Sequence, residues 1–117
     1  SVLPIVYPVI LFFDIFKILS ISFTEFIVSI FISRFKDFGL EVDVYDPWAD
    51  KKLAELHLGI KLKDSIEQGR YHSIIVAVAH DEFKQMGVET IRSYGREEHI
   101  FFDLKSIFPI DESDLRL

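Results

Sequence analysis

Residues 73–83, SIIVAVAHDEF, decide the fold class that we expect for this chain. A continuous apolar and largely β-branched run ends at the polar residues His80 and Asp81, where a helix is predicted to begin. A run of this kind is typical of a strand that is covered on both faces, as the strands of parallel sheets are. The stretch therefore predicts a strand of a parallel sheet that leads into a helix.

Helices and strands are predicted to alternate on both sides of this stretch. The predicted elements are the end of a helix at 34–39 (RFKDFG) with Gly39 just past its C-terminus, a strand at 40–46 (LEVDVYD), an amphipathic helix at 49–59 (ADKKLAELHLG), a short extended piece at 60–62 (IKL), a helical turn at 64–69 (DSIEQG), a helix at 82–95 (EFKQMGVETIRSYG) interrupted at Gly87, and a strand at 99–105 (HIFFDLK). The alternation predicts a Rossmann-like α/β domain with three layers, in which helices flank a parallel sheet.

Length and composition limit the function classes that are open to the chain. The 117 residues suffice for one domain with one core, and 50% of them are hydrophobic. A net charge of −6 gives no basic surface for nucleic acid. The absence of cysteine excludes disulfides, a thiolate zinc site and a cysteine nucleophile, and it fits a reducing, cytoplasmic setting.

The first 33 residues differ in composition from the rest. Only Asp14, Lys17 and Glu25 carry charged side chains there. One interpretation is a membrane anchor, but a spanning helix needs about 20 uninterrupted apolar residues, and Asp14 and Lys17 interrupt this run. The other interpretation is a buried strand and helix. We therefore predict a hydrophobic segment at 1–33 and the main domain at 34–117, forming one structural domain without a membrane partner.

Polar residues follow three of the predicted strands. They are Asp46 after the first, His80 and Asp81 after the second, and Asp103 with Lys105 around the last. In a parallel sheet, ligands bind beyond the carboxyl ends of the strands, where the strand order reverses. We expect these five residues to face one crevice.

Several of these residues also have a purely structural interpretation. Asp46 before Pro47 can accept backbone N–H bonds as the start of a turn, and Asp81 can cap the helix that follows. Trp48 can fill a gap in the core or serve as a stacking platform. Lys105 can be an ordinary solvated lysine. The sequence alone leaves these alternatives open.

Several well-known site motifs are absent from the sequence. No G-x-G-x-x-G follows the first strand, and neither a P-loop nor G-x-S-x-G is present. The histidines at 57, 72 and 99 occur singly, so no metal site is expected. The residues thus predict a polar crevice and no catalytic residues.

Three stretches in order resemble a known family. Residues 35–50 (FKDFGLEVDVYDPWAD), 71–83 (YHSIIVAVAHDEF) and 99–117 (HIFFDLKSIFPIDESDLRL) are similar to the C-terminal UDP-binding domain of the UDP-glucose/GDP-mannose dehydrogenase family. The resemblance runs from about residue 35 to 117. It is to the bacterial branch that oxidises UDP-N-acetylglucosamine or UDP-N-acetylgalactosamine for capsule, Vi-type polysaccharide or O-antigen synthesis.

The resemblance implies a function within a larger oxidoreductase. Enzymes of this family carry an NAD domain, a central domain through which they dimerise, and this domain, which holds the UDP end of the sugar substrate. Oxidation of the C6 alcohol to a uronic acid uses NAD and a cysteine outside this domain. The chain is then expected to bind UDP-sugar, to bind no cofactor alone and to be inactive without the other domains. The alternative is a non-catalytic interaction or membrane-associated protein that uses residues 1–33.

The resemblance also implies site residues. The family motif F-K-E-N-x-x-D-x-R-x-(S/T) is matched at Phe16 and Lys17 only, because residues 18–26 (ILSISFTEF) replace the rest. The D-L-K ending at Lys105 stands where many relatives have D-G-R. The expected substrate-binding residues are Lys17, Asp103 and Lys105, and the residues expected to shape the pocket are Asp46, Pro47, Trp48, His80 and Asp81.

The departure of residues 18–26 from the family motif suggests a genetic cause. Residues 18–26 are rich in Ile, Phe and Ser where the family has a polar loop, while the sequence after Lys36 is regular. We hypothesise that the reading frame was altered across this stretch or that the gene is decaying. Sequencing of the locus tests this, and an uninterrupted frame shared by near relatives would contradict it.

Overall fold

The structure of this protein is a computed structural model, which describes residues 7–12, 30, 33–58, 61–77 and 79–116. Its strands are β1 (Tyr7–Phe12), β2 (Leu40–Tyr45), β3 (Tyr71–Val76), β4 (Gly95–Asp103) and β5 (Leu115–Arg116). Its helices are α1 (Lys51–Leu58), α2 (Asp81–Met86) and α3 (Val88–Ser93), with a 3-10 helix at Ile110–Glu112. Residues 33–37 are also helical.

The described strands form one parallel sheet in the order β2-β1-β3-β4-β5. The chain adds β2 on one side of β1 and then returns to add β3 on the other side. The strand order therefore reverses between β1 and β3, which is the place where open α/β sheets bind ligands. The predicted Rossmann-like α/β fold with a parallel sheet is confirmed.

The hydrophobic N-terminal segment contributes the central strand of this sheet. Val9, Ile10, Leu11 and Phe12 are each at most 2% exposed, so the prediction of a buried strand is confirmed. Pro8 is the second residue of β1, near the strand start, where the missing N–H disturbs the ladder least. The helix predicted after this strand falls mostly on residues outside the described ranges.

Apolar side chains form a core on each face of the sheet. On one face, Ile10 and Phe12 pack with residues of α2 and α3, among them Phe83 and Ile91. On the other face, Leu11 packs with a smaller cluster: Val44, Ala54 of α1, and Leu62. Alternate residues of β1 thus serve opposite faces, as the period of a strand requires. The sheet is covered on both sides, which confirms the three-layer prediction.

Two predicted breaks are confirmed. Gly39 has φ 77° and its N–H donates to the Lys36 carbonyl (2.9 Å), which ends the helical residues 33–37. Gly87 has φ 83° and divides the predicted helix into α2 and α3. Both glycines adopt a backbone conformation that is unfavourable for residues with a Cβ.

Three boundaries differ from the predictions. Residues 64–69 form bends and a turn, so the helical turn predicted there is wrong. The last long strand runs from Gly95 to Asp103, which places Lys105 in the loop after it. The short strand β5 was not predicted, because its two residues are too few to show an alternating pattern.

Among the described helices, none is both long and apolar enough to cross a membrane. The anchor interpretation concerned the segment 1–33, of which the structure describes β1, residue 30 and residue 33. As a strand inside the sheet, β1 cannot also be part of a spanning helix.

Candidate functional site

The carboxyl ends of the strands meet at one edge of the sheet, which we call the carboxyl edge. Its described parts are residues 46–50 after β2, residues 79–81 after β3, and residues 103–108 at the end of β4. The residues that follow β1, including Phe16 and Lys17, lie outside the described ranges, so the prediction for Lys17 remains a prediction.

A tight turn follows β2. Asp46 is 3% exposed, and its Oδ1 accepts a hydrogen bond from the backbone N–H of Trp48 (3.0 Å). This is an Asx turn, in which a short side chain holds the backbone two residues further on. The interpretation of Asp46 as the start of a turn is confirmed. Pro47, in the middle of the turn, is exposed.

The turn carries the indole of Trp48 beyond the end of the sheet. Its exposed fraction is 61%, so the interpretation of Trp48 as a core residue is wrong. The physical reason is its position past the last strand residue, because the core clusters pack mainly against the faces of the sheet. The indole ring lies against the imidazole of His80, with ring centroids 5.4 Å apart and planes tilted by 34°.

His80 begins helix α2. Its backbone is extended (φ −83°, ψ 135°), and its Nδ1 accepts the backbone N–H of Glu82 (3.1 Å). The expectation that Asp81 is the cap is wrong, because Asp81 is already the first helical residue and the ring of His80 takes the free N–H. The accepting Nδ1 carries no proton, so the neutral imidazole is protonated at Nε2.

The His80 ring also contacts the buried interior. It lies 5.6 Å from the ring of Phe83, which is fully buried and in turn lies 5.1 Å from Phe12. A chain of aromatic contacts therefore leads from the core to the exposed indole of Trp48. Because β1 lies between β2 and β3, the contact between Trp48 and His80 joins the two sides of the point where the strand order reverses.

The loop after β4 is organised by one buried carboxylate. Asp103 is fully buried; its Oδ1 accepts the N–H of Ile107 (3.1 Å) and its Oδ2 accepts the N–H of Phe108 (3.0 Å). Ser106, which lies between Asp103 and Ile107, has φ 54°, an uncommon conformation for a residue with a side chain. Its Oγ accepts a hydrogen bond from Nε of Arg116 (3.0 Å). The loop conformation is thus held at both ends and in the middle.

These contacts bear on the two residues predicted to bind substrate here. Both oxygens of Asp103 are engaged by the loop, so its geometry favours a positioning role, and a direct substrate contact stays a prediction. Lys105 is exposed on the same loop, and no ion pair or hydrogen bond joins it to the described residues. The carboxyl edge thus presents an ammonium group on a loop of fixed shape.

Tyr45 also borders this edge, although no motif in the sequence marks it. Its ring packs at 5.7 Å from Phe12 and 6.3 Å from Phe83. Burial raises the pKa of the Tyr45 hydroxyl. The negative charge of Glu82 raises this pKa further, and so does the charge of Tyr94 when it is ionised. Tyr45 supports the residues beneath His80. Its place as the last residue of an alternating strand was the available signal.

A second set of polar contacts, which we call the amino-side network, lies toward the strand beginnings. It consists of Glu41, Asp43, Arg70 and Tyr71. Arg70 Nη2 donates to Glu41 Oε1 (3.0 Å), and the hydroxyl of Tyr71 donates to Asp43 Oδ2 (2.7 Å). Burial, followed by the hydrogen bond that the hydroxyl donates to Asp43, raises the pKa of Tyr71. Spacing in the sequence gave no sign of this network, because its members come from β2 and from the start of β3, with β1 between them.

The described residues contain no metal-binding cluster, and the sequence lacks the glycine-rich loop of a dinucleotide site. In the described part of the chain, no group of three or more His, Asp or Glu side chains could hold a metal ion. His72 contacts Tyr7, whereas His99 contacts Arg92, so these histidines are in different places. A dinucleotide site carries its glycine-rich turn after the first strand, and the sequence contains no glycine between residues 13 and 38.

Comparison with known proteins agrees with this architecture. Residues 27–110 match the UDP-glucose/GDP-mannose dehydrogenase family, UDP binding domain. The match covers well over half of the chain, so the chain belongs to this family and represents its UDP-binding domain. The resemblance noted in the sequence is confirmed. The match begins directly after residues 18–26, the segment that departs from the family motif.

Two curated relatives within this family are similar in sequence to the chain, and both are UDP-N-acetyl-D-glucosamine 6-dehydrogenases. The chain is 41% identical over 80 residues to UDP-N-acetyl-D-glucosamine 6-dehydrogenase of Salmonella typhi, an alignment that covers 68% of this chain and 19% of that protein. It is 43% identical over 86 residues to UDP-N-acetyl-D-glucosamine 6-dehydrogenase of Pseudomonas aeruginosa, covering 74% of this chain and 20% of that protein. The chain spans about a fifth of the length of these relatives.

Proposed function

We propose that this domain holds the UDP end of a UDP-N-acetylhexosamine in an NAD-dependent UDP-sugar 6-dehydrogenase, which makes uronic acids for a surface polysaccharide such as capsule. The observation that carries the proposal is the match of residues 27–110 to the UDP binding domain, together with the two relatives that act as 6-dehydrogenases. The domain's part is to bind and orient the nucleotide, so that the sugar extends toward catalytic groups elsewhere.

The carboxyl edge supports this role. A reversal of strand order, an exposed aromatic ring at Trp48 and an exposed ammonium group at Lys105 are suited to a nucleoside diphosphate, which has a flat base at one end and negative charge at the other. Lysine supplies a point charge that suits a pyrophosphate without requiring a fixed geometry. Lys17 belongs to the same proposal through the family motif.

The chemistry is assigned to other parts of the dehydrogenase. NAD supplies hydride acceptance when bound, and this sequence lacks the glycine-rich loop that would hold it after the first strand. The proposal therefore includes an NAD-binding domain and a central, dimerising domain as partners. It also includes a cytoplasmic location, which the absence of cysteine supports. Within this chain we assign no catalytic residue.

A nucleotide titration followed by NMR tests the binding function. Addition of UDP to the 117-residue protein should shift the amide signals of residues 46, 48–50, 79–81 and 103–108, because these line the carboxyl edge. The amides of Glu41 and Arg70, in the amino-side network, serve as the internal control and should not move. UDP-N-acetylglucosamine should shift the same amides. An unchanged spectrum at millimolar UDP would contradict the proposed function.

A second measurement separates binding from turnover. The protein alone, mixed with NAD and UDP-N-acetylglucosamine, should produce no NADH absorbance, because it has no cysteine and no glycine-rich loop after a described strand. A sample of a complete dehydrogenase serves as the positive control. NADH formation by the pure 117-residue protein would show that the division of labour proposed here is wrong.

A further inference from the structure

Trp48 is the single tryptophan of the chain, and its side chain is exposed to solvent. Its exposed fraction of 61% contrasts with the fully buried Phe12, Phe83 and Phe101. Exposure of a large apolar ring is unfavourable in water, since burial of such a ring contributes favourably to folding. An exposed ring at a ligand-binding edge is therefore a candidate contact surface.

The indole is held in place by neighbours on both sides of the switch in strand order. The backbone N–H of Trp48 donates to the buried Asp46, and this bond fixes the turn at Pro47. Its ring contacts the imidazole of His80, and the ring of His80 is fixed by the bond from the Glu82 N–H and by contact with Phe83. A ring that is already ordered loses little conformational freedom when a ligand stacks on it.

We propose that the Trp48 indole is the surface on which the uracil base of UDP stacks, and that His80 is a positioning residue behind it. The proposal rests on the proposed function, because it assigns one part of the same ligand to one side chain. Every nucleobase presents a flat π face, and an aromatic side chain binds that face without reading its edge. Trp48 therefore contributes affinity for the base, and discrimination between bases belongs to other residues.

The placement of the base also orients the rest of the ligand. Trp48 follows β2 and Lys105 follows β4, with β1 and β3 between these strands. Three strand spacings of about 4.8 Å separate β2 from β4, about 14 Å in total. A nucleoside diphosphate in an extended conformation covers a distance of this order. A base on Trp48 thus directs the diphosphate along the carboxyl edge toward the loop that carries Lys105.

Intrinsic fluorescence gives a direct readout, because all tryptophan emission of this protein comes from Trp48. We expect UDP, UMP and uridine at saturating concentration to quench the emission excited at the red edge of the tryptophan band. Pyrophosphate and ribose 5-phosphate, which have no base, should leave it unchanged. Quenching by pyrophosphate equal to that by UDP would overturn the stacking assignment.

Affinities of variants, measured by calorimetry, test the same point independently. Trp48→Ala should weaken UDP binding by about ten- to a hundredfold. Trp48→Phe should retain part of the affinity, whereas Trp48→Leu, which keeps apolar bulk but has no π face, should behave like Trp48→Ala. Phe38→Ala is the matched control: Phe38 is 76% exposed and lies two residues before β2, at the opposite edge of the sheet, so UDP affinity should not change.

The possible failures are distinguishable. If wild type and Trp48→Ala bind UDP equally and the emission does not change, the stacking assignment is wrong while UDP binding by this domain stands. If the wild-type protein gives neither heat nor NMR shifts with UDP, the proposed function and the stacking assignment both fail. If Trp48→Leu binds as tightly as Trp48→Phe, apolar contact and not stacking holds the base, and the assignment is overturned.

Discussion

The two ends of the sheet use the same kinds of polar side chain in different ways. In the amino-side network, side chains bind each other across strands: Arg70 pairs with Glu41, and Tyr71 of β3 reaches over β1 to Asp43 of β2. At the carboxyl edge, Asp46 and Asp103 accept hydrogen bonds from backbone N–H groups two to five residues further along the chain.

The difference teaches what each end contributes. Contacts between strands stabilise the sheet and pair the side chains of this network with one another. Contacts from a side chain to its own loop fix the loop and leave neighbouring side chains directed outward, here Trp48 and Lys105. We therefore expect substitutions in the amino-side network to change stability alone. Substitutions at the carboxyl edge should divide into those that collapse a loop and those that change only ligand affinity.

Asp103→Ala should have the largest effect on stability. It leaves two backbone N–H groups of the loop without their acceptor and removes a fully buried carboxylate, so we expect a loss of about 2–4 kcal/mol in the free energy of unfolding. Asp103→Asn keeps one accepting oxygen and should lose less. Urea denaturation measures both.

The control for Asp103 is Asp111→Ala, since Asp111 is an exposed carboxylate in the 3-10 helix. That substitution should change the free energy of unfolding by no more than about 0.5 kcal/mol. Equal stability of Asp103→Ala and the wild type would mean that Asp103 does not organise the loop, and a direct role in substrate binding would become the better explanation for it.

Tyr71→Phe should have an intermediate effect and a characteristic pH dependence. Loss of the hydrogen bond to Asp43 should cost about 1–2 kcal/mol near neutral pH. The pKa of Tyr71 is raised above 10.0 in the folded protein, so the folded state holds this proton more tightly than the unfolded state. The associated stability is fully present below pH 10 and is lost as the pH rises further.

The difference between wild type and Tyr71→Phe should therefore shrink above pH 10. Chemical denaturation at a series of pH values measures it. Tyr7→Phe is the matched control, because Tyr7 is 43% exposed and no hydrogen bond joins its hydroxyl to the described residues. A difference between Tyr71→Phe and the wild type that stays constant up to pH 12 would count against the raised pKa. UDP affinity should be equal in both variants and the wild type.

Lys105→Ala should have the smallest effect on stability and still affect ligand binding. Its side chain is exposed, so the free energy of unfolding should change by no more than about 0.5 kcal/mol. UDP binding should weaken by about 1–3 kcal/mol, the range for a bond to a charged group, and added salt should reduce the difference. Lys36→Ala, an exposed lysine before β2, is the control. Equal UDP affinity of Lys105→Ala and wild type at low salt would remove Lys105 from the site.

The central strand shows how sequence and structure divide the information. The family match begins at residue 27, yet β1, at Tyr7–Phe12, lies between β2 and β3. Its apolar run was sufficient to predict a buried strand, because any strand covered on both faces needs such residues. Its position between β2 and β3 could not be read from the run itself, since pairing partners are chosen by contacts between distant parts of the chain.

The short strand β5 shows the opposite case. Asp114 donates its backbone N–H to the Phe101 carbonyl (3.0 Å) and accepts the Phe101 N–H at Oδ2 (2.8 Å). Arg92 of α3 binds the same carboxylate (3.2 Å). The Phe101 N–H, followed by the hydrogen bond from Arg92, lowers the pKa of Asp114. These long-range contacts guide the chain into β5. The local sequence pattern does not predict them.

The sequence by itself determined the alternation of strands and helices, the breaks at Gly39 and Gly87, the turn at Asp46, and the family, because periodicity, backbone preference and short motifs are local properties. Only the tertiary structure decided that Trp48 is exposed against His80, that His80 and not Asp81 caps α2, and that the carboxylate of Asp103 is enclosed by its own loop. Exposure and hydrogen-bond partners depend on which surfaces meet in space. The packing of the whole sheet decides which surfaces are in contact. Residues with the same local sequence pattern can therefore lie inside the core or at its edge.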